Sequence, residues 1–408
     1  MKQRSDNRRT SIIRFAALAL TLLGMLACVR GAPSSRAVKL SGLDKLPAIK
    51  ELPDPFLMNN GKRVATKADW ARRRGEIKEM ILYYEYGHLA PTPKNITATE
   101  LSSKRIESAG ATEKQMLLSM GPEKKIAFPL ILTIPGGKGP FPVIVKGDLC
   151  WSRVSSAIIE TAVKRGYIVA EFDRTKVAPD SNDRTKGIFP LYPKSDSSVL
   201  AGWAWGFHRT VDYLLTLDSV DPKRIAVTGH SRGGKAALLA GALDERIAVT
   251  CPNGSGCGGA GSYRVLGEKC EDIAAITKSF PFWFHPRFRE FVGHVDQLPL
   301  DQHFVRALVA PRAQLSTDAL GDIWANAMGT QVSYLAAKQV YDFLGAGNKI
   351  GIHYRQGKHE QNAEDWAALL DFCDLQFFNK TVETRFDQLP FADYPKAFSW
   401  SAPSAAGR

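Results

Sequence analysis

The chain has 408 residues and a formal net charge of +13, with 44% hydrophobic and 23% charged residues. That length can bury a full core as one large α/β domain or two smaller ones, and the composition excludes a disordered or low-complexity chain. The positive balance favours acidic partners or serves solubility alone; with no nucleic-acid motif beside it, an anionic glycan or cell wall is the expected partner and nucleic acid is not.

The chain starts with Lys2, Arg4, Arg8, Arg9 and Arg14 ahead of an apolar run at 15–26. The run has about the length of a signal-peptide core and is too short to span a bilayer comfortably. Export is therefore expected, to the periplasm, the outer membrane or the medium, and residues 1–28 are set apart from the fold. The five basic residues and Asp6 put +4 on this leader, which leaves +9 on the rest. Cys28 stands where the modified cysteine of a bacterial lipoprotein site would, although Met25 is unusual in that box. A lipid anchor at Cys28 and ordinary cleavage a few residues further on both stand. Cys150, Cys251, Cys257, Cys270 and Cys373 contain no CxxC pair, which disfavours zinc and a disulfide-dense scaffold but leaves room for one or two bridges.

A linker over about 29–50 leads to an extended, turn-like stretch and then a helix from about Thr66, with apolar residues at helical spacing. A hairpin-like region follows, with a strand at 125–135 ending in the turn "GGKGP". Short apolar strands at 141–147 and 166–173 flank a helix at 155–165. Strands so apolar, alternating with helices, predict a parallel sheet covered on both faces. The alternation continues through a helix at 200–218, a strand at 224–230, a helix after Ser231 and a strand at 247–253. After an excursion over about 254–308 come a strand at 312–317, a helix at 332–345, a strand at 349–356 and a helix at 362–378. The expected architecture is an α/β-hydrolase fold, three-layer α/β/α, as one catalytic domain over 51–408 with an insertion at about 254–308.

Gly229-His230-Ser231-Arg232-Gly233 fits G-x-S-x-G at the end of a strand and the start of a helix, where a nucleophile elbow must sit. The serine backbone is strained there to lift its hydroxyl from the sheet, and the glycines avoid collisions around it. The fold orders the triad as Ser, acid, His. His359, in the loop beyond the strand at 349–356, is the expected general base; His353, inside that strand, reads as a core histidine. The acid belongs in the loop after 312–317, where Asp318 and Asp322 are candidates and Asp322 is favoured. Oxyanion donors are expected from the Arg232 backbone and from the loop near Gly147 and Asp148. That loop lacks a glycine run, so the Arg232 side chain is a further donor. There is no HExxH, GxGxxG or Walker sequence, and neither a metal nor a cofactor is implied.

Around these residues the chain resembles the glucuronoyl esterases, carbohydrate esterase family fifteen, in particular the bacterial members. The stretches that carry the resemblance include "LPDPF", "YYEYG", "TGHSRGGKAALLAG", "GSGCGGAGSYR", "FPFWF" and "DIWANAMGT", spread over almost the whole chain after the leader. Ser-Arg followed by Lys235, and the glycine-rich stretch after the next strand, are the most specific. The resemblance implies hydrolysis of an ester between a 4-O-methyl-glucuronic acid on xylan and an alcohol on lignin, through an acyl-enzyme on Ser231. It also implies oxyanion stabilisation by Arg232 and sugar contacts by Lys235 and Trp324, in a protein expected to act as a monomer. Two departures stand out. Many members carry the triad acid as a glutamate where this chain has Gly254, which moves the acid to Asp322, and Lys278 stands near where an acidic sugar contact is expected. The alternatives are another ester specificity, acetyl or aryl, or a non-catalytic glycan-binding protein on the same scaffold.

Overall fold

The computed structural model describes residues 40–404; the apolar run at 15–26 and Cys28 lie outside the described residues. The strands are β1 (Thr97–Ile106), β2 (Ala111–Met120), β3 (Ile126–Pro135), β4 (Phe141–Lys146), β5 (Ile168–Phe172), β6 (Val220–His230), β7 (Val249–Asn253), β8 (Ala313–Ala319) and β9 (Ile350–Arg355). They form one sheet in the order β1-β2-β3-β5-β4-β6-β7-β8-β9. The first three strands run antiparallel to one another and β3 joins β5 antiparallel; from β5 across to β9 every pairing is parallel. Every residue of β5, β7, β8 and β9 is buried, as strands covered on both faces require. By contrast, β1 is exposed along its length, a polar edge that does not invite further pairing.

The helices are α1 (Lys67–Ile81), α2 (Ser156–Lys164), α3 (Arg174–Val177), α4 (Val199–Leu214), α5 (Arg232–Leu243), α6 (Ile273–Ser279), α7 (Gln302–Val309), α8 (Ala327–Leu344) and α9 (Ala363–Phe378). Ile159 and Val163 of α2, with Trp366, Leu369 and Phe372 of α9, pack on Ile144, Val169, Ala226 and Leu315 and so cover one face. The other face carries α1, α4, α5, α7 and α8 in a larger core. The result is the three-layer α/β/α arrangement of an α/β-hydrolase. Thr66 starts α1 through a reciprocal cap with Asp69, and the chain leaves the helical turn after it at Gly87 (φ 73°). A Cβ on Gly87 would fall 2.1 Å from the Asp196 carbonyl oxygen.

The excursion after β7 contains α6 and three short 3-10 turns at Pro281–Trp283, Pro286–Phe291 and Val295–Gln297. Its last part, α7, is wholly buried and packs on α5 and α8, so the stretch from 302 belongs to the core. The five cysteines among the described residues are all unpaired. Cys251, Cys257 and Cys373 are core residues, and burial pushes the Cys251 thiol up to about 12. The C-terminal ends of β6, β7, β8 and β9 lie along one edge of the sheet, where α/β folds place their sites.

Candidate active site

Ser231 sits between β6 and α5 with φ 55° and ψ −122°, a conformation that costs a non-glycine residue energy and marks a functional turn. Its N–H donates to the Asn253 carbonyl at 2.9 Å. The neighbouring glycines are sterically required: a Cβ on Gly229 would lie 2.4 Å from the Gly233 carbonyl oxygen, and one on Gly233 would lie 1.9 Å from Asp148 Oδ1.

His359, from the loop after β9, pairs through Nδ1 with Asp322 Oδ2 at 2.6 Å, and the Asp322 carboxylate is almost wholly buried. With Nδ1 so engaged, Nε2 is the nitrogen left for a serine. Ser231 and His359 line the same cavity of about 180 Å³. Asp318, the other candidate acid, lies in β8, away from His359. Burial and then the Asp322 charge push its carboxyl well above the usual range. The structure thus brings Asp322, not Asp318, to the imidazole. It also places Gly254 beside that pair: a Cβ on Gly254 would lie 3.4 Å from Asp322 Oδ2, so the ends of β7 and β8 converge on one spot.

Arg232 is held on both sides. Its Nη1 donates to Asp180 Oδ2 at 2.7 Å, and its guanidinium lies over Trp283 (4.5 Å) and Phe280 (4.9 Å). Asp180 in turn accepts from Trp283 Nε1 at 2.7 Å. Arg232 Nε is buried without a partner, and the residue lines the pocket beside Ser231, which puts a permanent positive charge next to the serine. The sequence points to a second donor near Gly147 and Asp148. Neither residue lines the pocket, and the Leu149 and Trp151 amides are bonded to the Phe172 and Asp148 carbonyls. Asp148 serves a different purpose: buried, it takes Lys146 Nζ at 2.6 Å, Arg174 Nη1 and the His230 amide at 2.8 Å, which anchors the elbow.

On the substrate side, Lys235 is buried rather than on the helix surface, donating to the Ser255 and Cys257 carbonyls at 2.6 Å each. Its Nζ also lies 3.7 Å from Glu271, a pocket residue that sequence reasoning missed. Lys278, on the far turn of α6, is exposed and outside the pocket, and the carboxylate that lines the pocket is Glu271, just before the Asp272 cap of that helix. Trp324 is 53% exposed at the rim, and its carbonyl accepts from the Glu271 amide at 3.0 Å. His230, the second residue of the elbow, was also missed. Its ring centroid lies 4.4 Å from that of His359, and its Nδ1 is 2.6 Å from Asn253 Oδ1. Burial, then the charge of His359, lowers the His230 pKa to about 4, so the ring is neutral.

A family model described as "Glucuronyl esterase, fungi" matches residues 120–345. The chain is 32% identical over 386 residues to carbohydrate esterase MZ0003 from an unknown prokaryotic organism, covering 79% of this chain and 89% of that protein. It is 32% identical over 341 residues to the 4-O-methyl-glucuronoyl methylesterase of Schizophyllum commune, covering 81% and 82%. Among solved structures, a carbohydrate esterase family 15 glucuronoyl esterase from Caldicellulosiruptor kristjansonii superposes with a TM-score of 0.76 at 34% identity, covering 88% of this chain and 99% of that one.

Proposed function

This chain belongs to the glucuronoyl esterase family, and from that premise we propose that it hydrolyses esters of 4-O-methyl-glucuronic acid on plant cell-wall xylan, with lignin-type alcohols as leaving groups. It is a carboxylic ester hydrolase. Ser231 Oγ attacks the uronoyl carbonyl while His359 Nε2 takes its proton; Asp322 holds the Nδ1–H and balances the imidazolium. Charge on the carbonyl oxygen develops against Arg232. The alcohol departs with the proton from His359, and a water activated by the same imidazole releases the uronic acid. Because an esterified uronate carries no charge, recognition falls to its ring hydroxyls, for which Lys235, Glu271 and Trp324 offer a donor, an acceptor and a ring face. The observation that carries this reading is His359 in one cavity with a strained elbow serine, its Nδ1 paired at 2.6 Å with the buried Asp322 carboxylate behind it.

Turnover of benzyl glucuronate by the wild type and its loss in Ser231→Ala is the test; equal turnover by both would refute the assignment. The basic start and the apolar run at 15–26 support the further reading of an exported protein, with Cys28 as an anchoring residue. Fractionation of cells expressing wild type and Cys28→Ser separates an anchored form from a soluble one.

A further inference from the structure

We infer that a second cavity beside the catalytic pocket is a saccharide subsite that receives a free sugar carboxylate on Arg289. This rests on the glucuronoyl esterase reading and extends it to the polymer that carries the ester. The pocket around Ser231 encloses about 180 Å³, below the range of about 300–1,000 Å³ typical of ligand sites, so most of a polymeric substrate must lie outside it. The second cavity encloses about 490 Å³. Two chain segments wall both spaces. Asp180 grips Arg232 at the first, while Ser181 and Asn182, next in sequence, line the second. Phe280 and Trp283 line the first, and Phe282, between them, lines the second.

The Ser181 hydroxyl and the Asn182 amide beside the half-buried Phe282 ring suit a sugar, whose hydroxyls need partners and whose C–H face packs on an aromatic. The charges select an acidic sugar. Asp196 is the lone carboxylate of the lining, and it already accepts from the His88 amide at 2.8 Å and faces His88 Nδ1 at 3.1 Å. Arg184 donates to the Ser197 carbonyl at 3.2 Å and lies over Phe189. The Arg289 guanidinium has no ion pair or hydrogen bond among the described residues, and the fork of a free guanidinium matches a carboxylate. Such carboxylates are at hand by the nature of the reaction, since every turnover leaves one on the polymer.

The test uses a xylo-oligosaccharide bearing one free 4-O-methyl-glucuronate, titrated calorimetrically into full-length Ser231→Ala with and without Arg289→Ala or Arg289→Lys. The expected result is that Arg289→Ala weakens one site about tenfold or more, that Arg289→Lys weakens it less, and that neutral xylotetraose binds all three alike. In catalytically intact protein, Arg289→Ala should raise KM on partly de-esterified polymer and leave benzyl glucuronate kinetics unchanged. An Arg289→Ala titration identical to its parent overturns the subsite, as does an equal loss on benzyl glucuronate, which would place Arg289 in the support of the catalytic pocket. Absence of all turnover by the wild type would instead remove the proposed function, and the titration would still decide the subsite.

Discussion

Moving the proposed triad acid is the most demanding perturbation the structure suggests. Asp322→Ala removes the carboxylate that lies 2.6 Å from His359 Nδ1, and loss of a working triad acid lowers kcat by about 10⁴ in serine hydrolases, or about 5 kcal/mol of transition-state stabilisation. Adding Gly254→Glu should return part of that. The Cβ position at 254 is 3.4 Å from the vacated Oδ2 site, within reach of a glutamate side chain. The backbone there is left-handed (φ 48°), so the substitution costs about 1–2 kcal/mol of stability, a penalty that should appear in the melting temperature rather than in kcat. Recovery of about a hundredfold in kcat/KM, or about 2.7 kcal/mol, is the expected outcome with benzyl glucuronate at neutral pH. Full activity in Asp322→Ala would refute the assignment of the acid. A folded double variant no faster than the single one would refute the convergence of the two strand ends.

Other perturbations report on the surroundings. Glu85 is wholly buried between Tyr263 and Gln302, and burial raises its pKa from 4.5 to about 7. The folded state therefore holds a proton that the unfolded chain releases, so this contribution is full below about pH 4.5 and falls by up to about 3 kcal/mol as pH rises to about 7. Urea unfolding of Glu85→Gln should show a flatter stability profile between pH 5 and 7, and an unchanged slope would contradict the burial argument. His230→Ala removes the neutral ring packed on His359 and should lower kcat by about tenfold with little change in KM; His230→Phe should keep most of the rate, and an Ala variant as fast as wild type would rule out a positioning role. Gly233→Ala drives a methyl into the Asp148 carboxylate and breaks a buried charge cluster, so a loss of about 3 kcal/mol or more is expected. A wild-type denaturation curve would show that the cluster yields without penalty.

What could be read from the chain followed from burial. The parallel strands sit between two helical layers, so each appears as a short apolar run, and their C-terminal ends locate the elbow, the acid loop and the histidine loop. β1 escaped because it is a polar edge: "TATELSSKRI" is hydrogen-bonded along one side to β2 and has no buried residue to mark it. The site residues divide in the same way. Ser231, His359 and Asp322 are found by their order along strand ends, a property of the chain. Asp180 and Glu271 are found only by distance: Asp180 is 52 positions from the arginine it holds, and Glu271 is an ordinary acid before a helix cap until the fold places it 3.7 Å from Lys235. Glu85 was hidden in an aromatic helix end for the same reason.

The position of Asp322 shows what the imidazole of His359, in its proposed role, requires of the fold. β7 and β8 are parallel neighbours, with Asn253 paired to Thr317 and the Gly254 amide donating to the Thr317 carbonyl at 3.0 Å. A side chain leaving either strand end therefore reaches the same small volume beside His359. The imidazole responds to a buried oxygen at Nδ1 that fixes its tautomer, and the strand that supplies that oxygen makes no difference to it. Once Asp322 occupies the volume, a second carboxylate from position 254 would place two like charges within contact distance, and one would have to take up a proton. A glycine at 254 avoids that conflict, and it also suits the left-handed backbone found there. The missing glutamate and the present aspartate are thus one coupled choice, and the double variant above is the measurement that separates them.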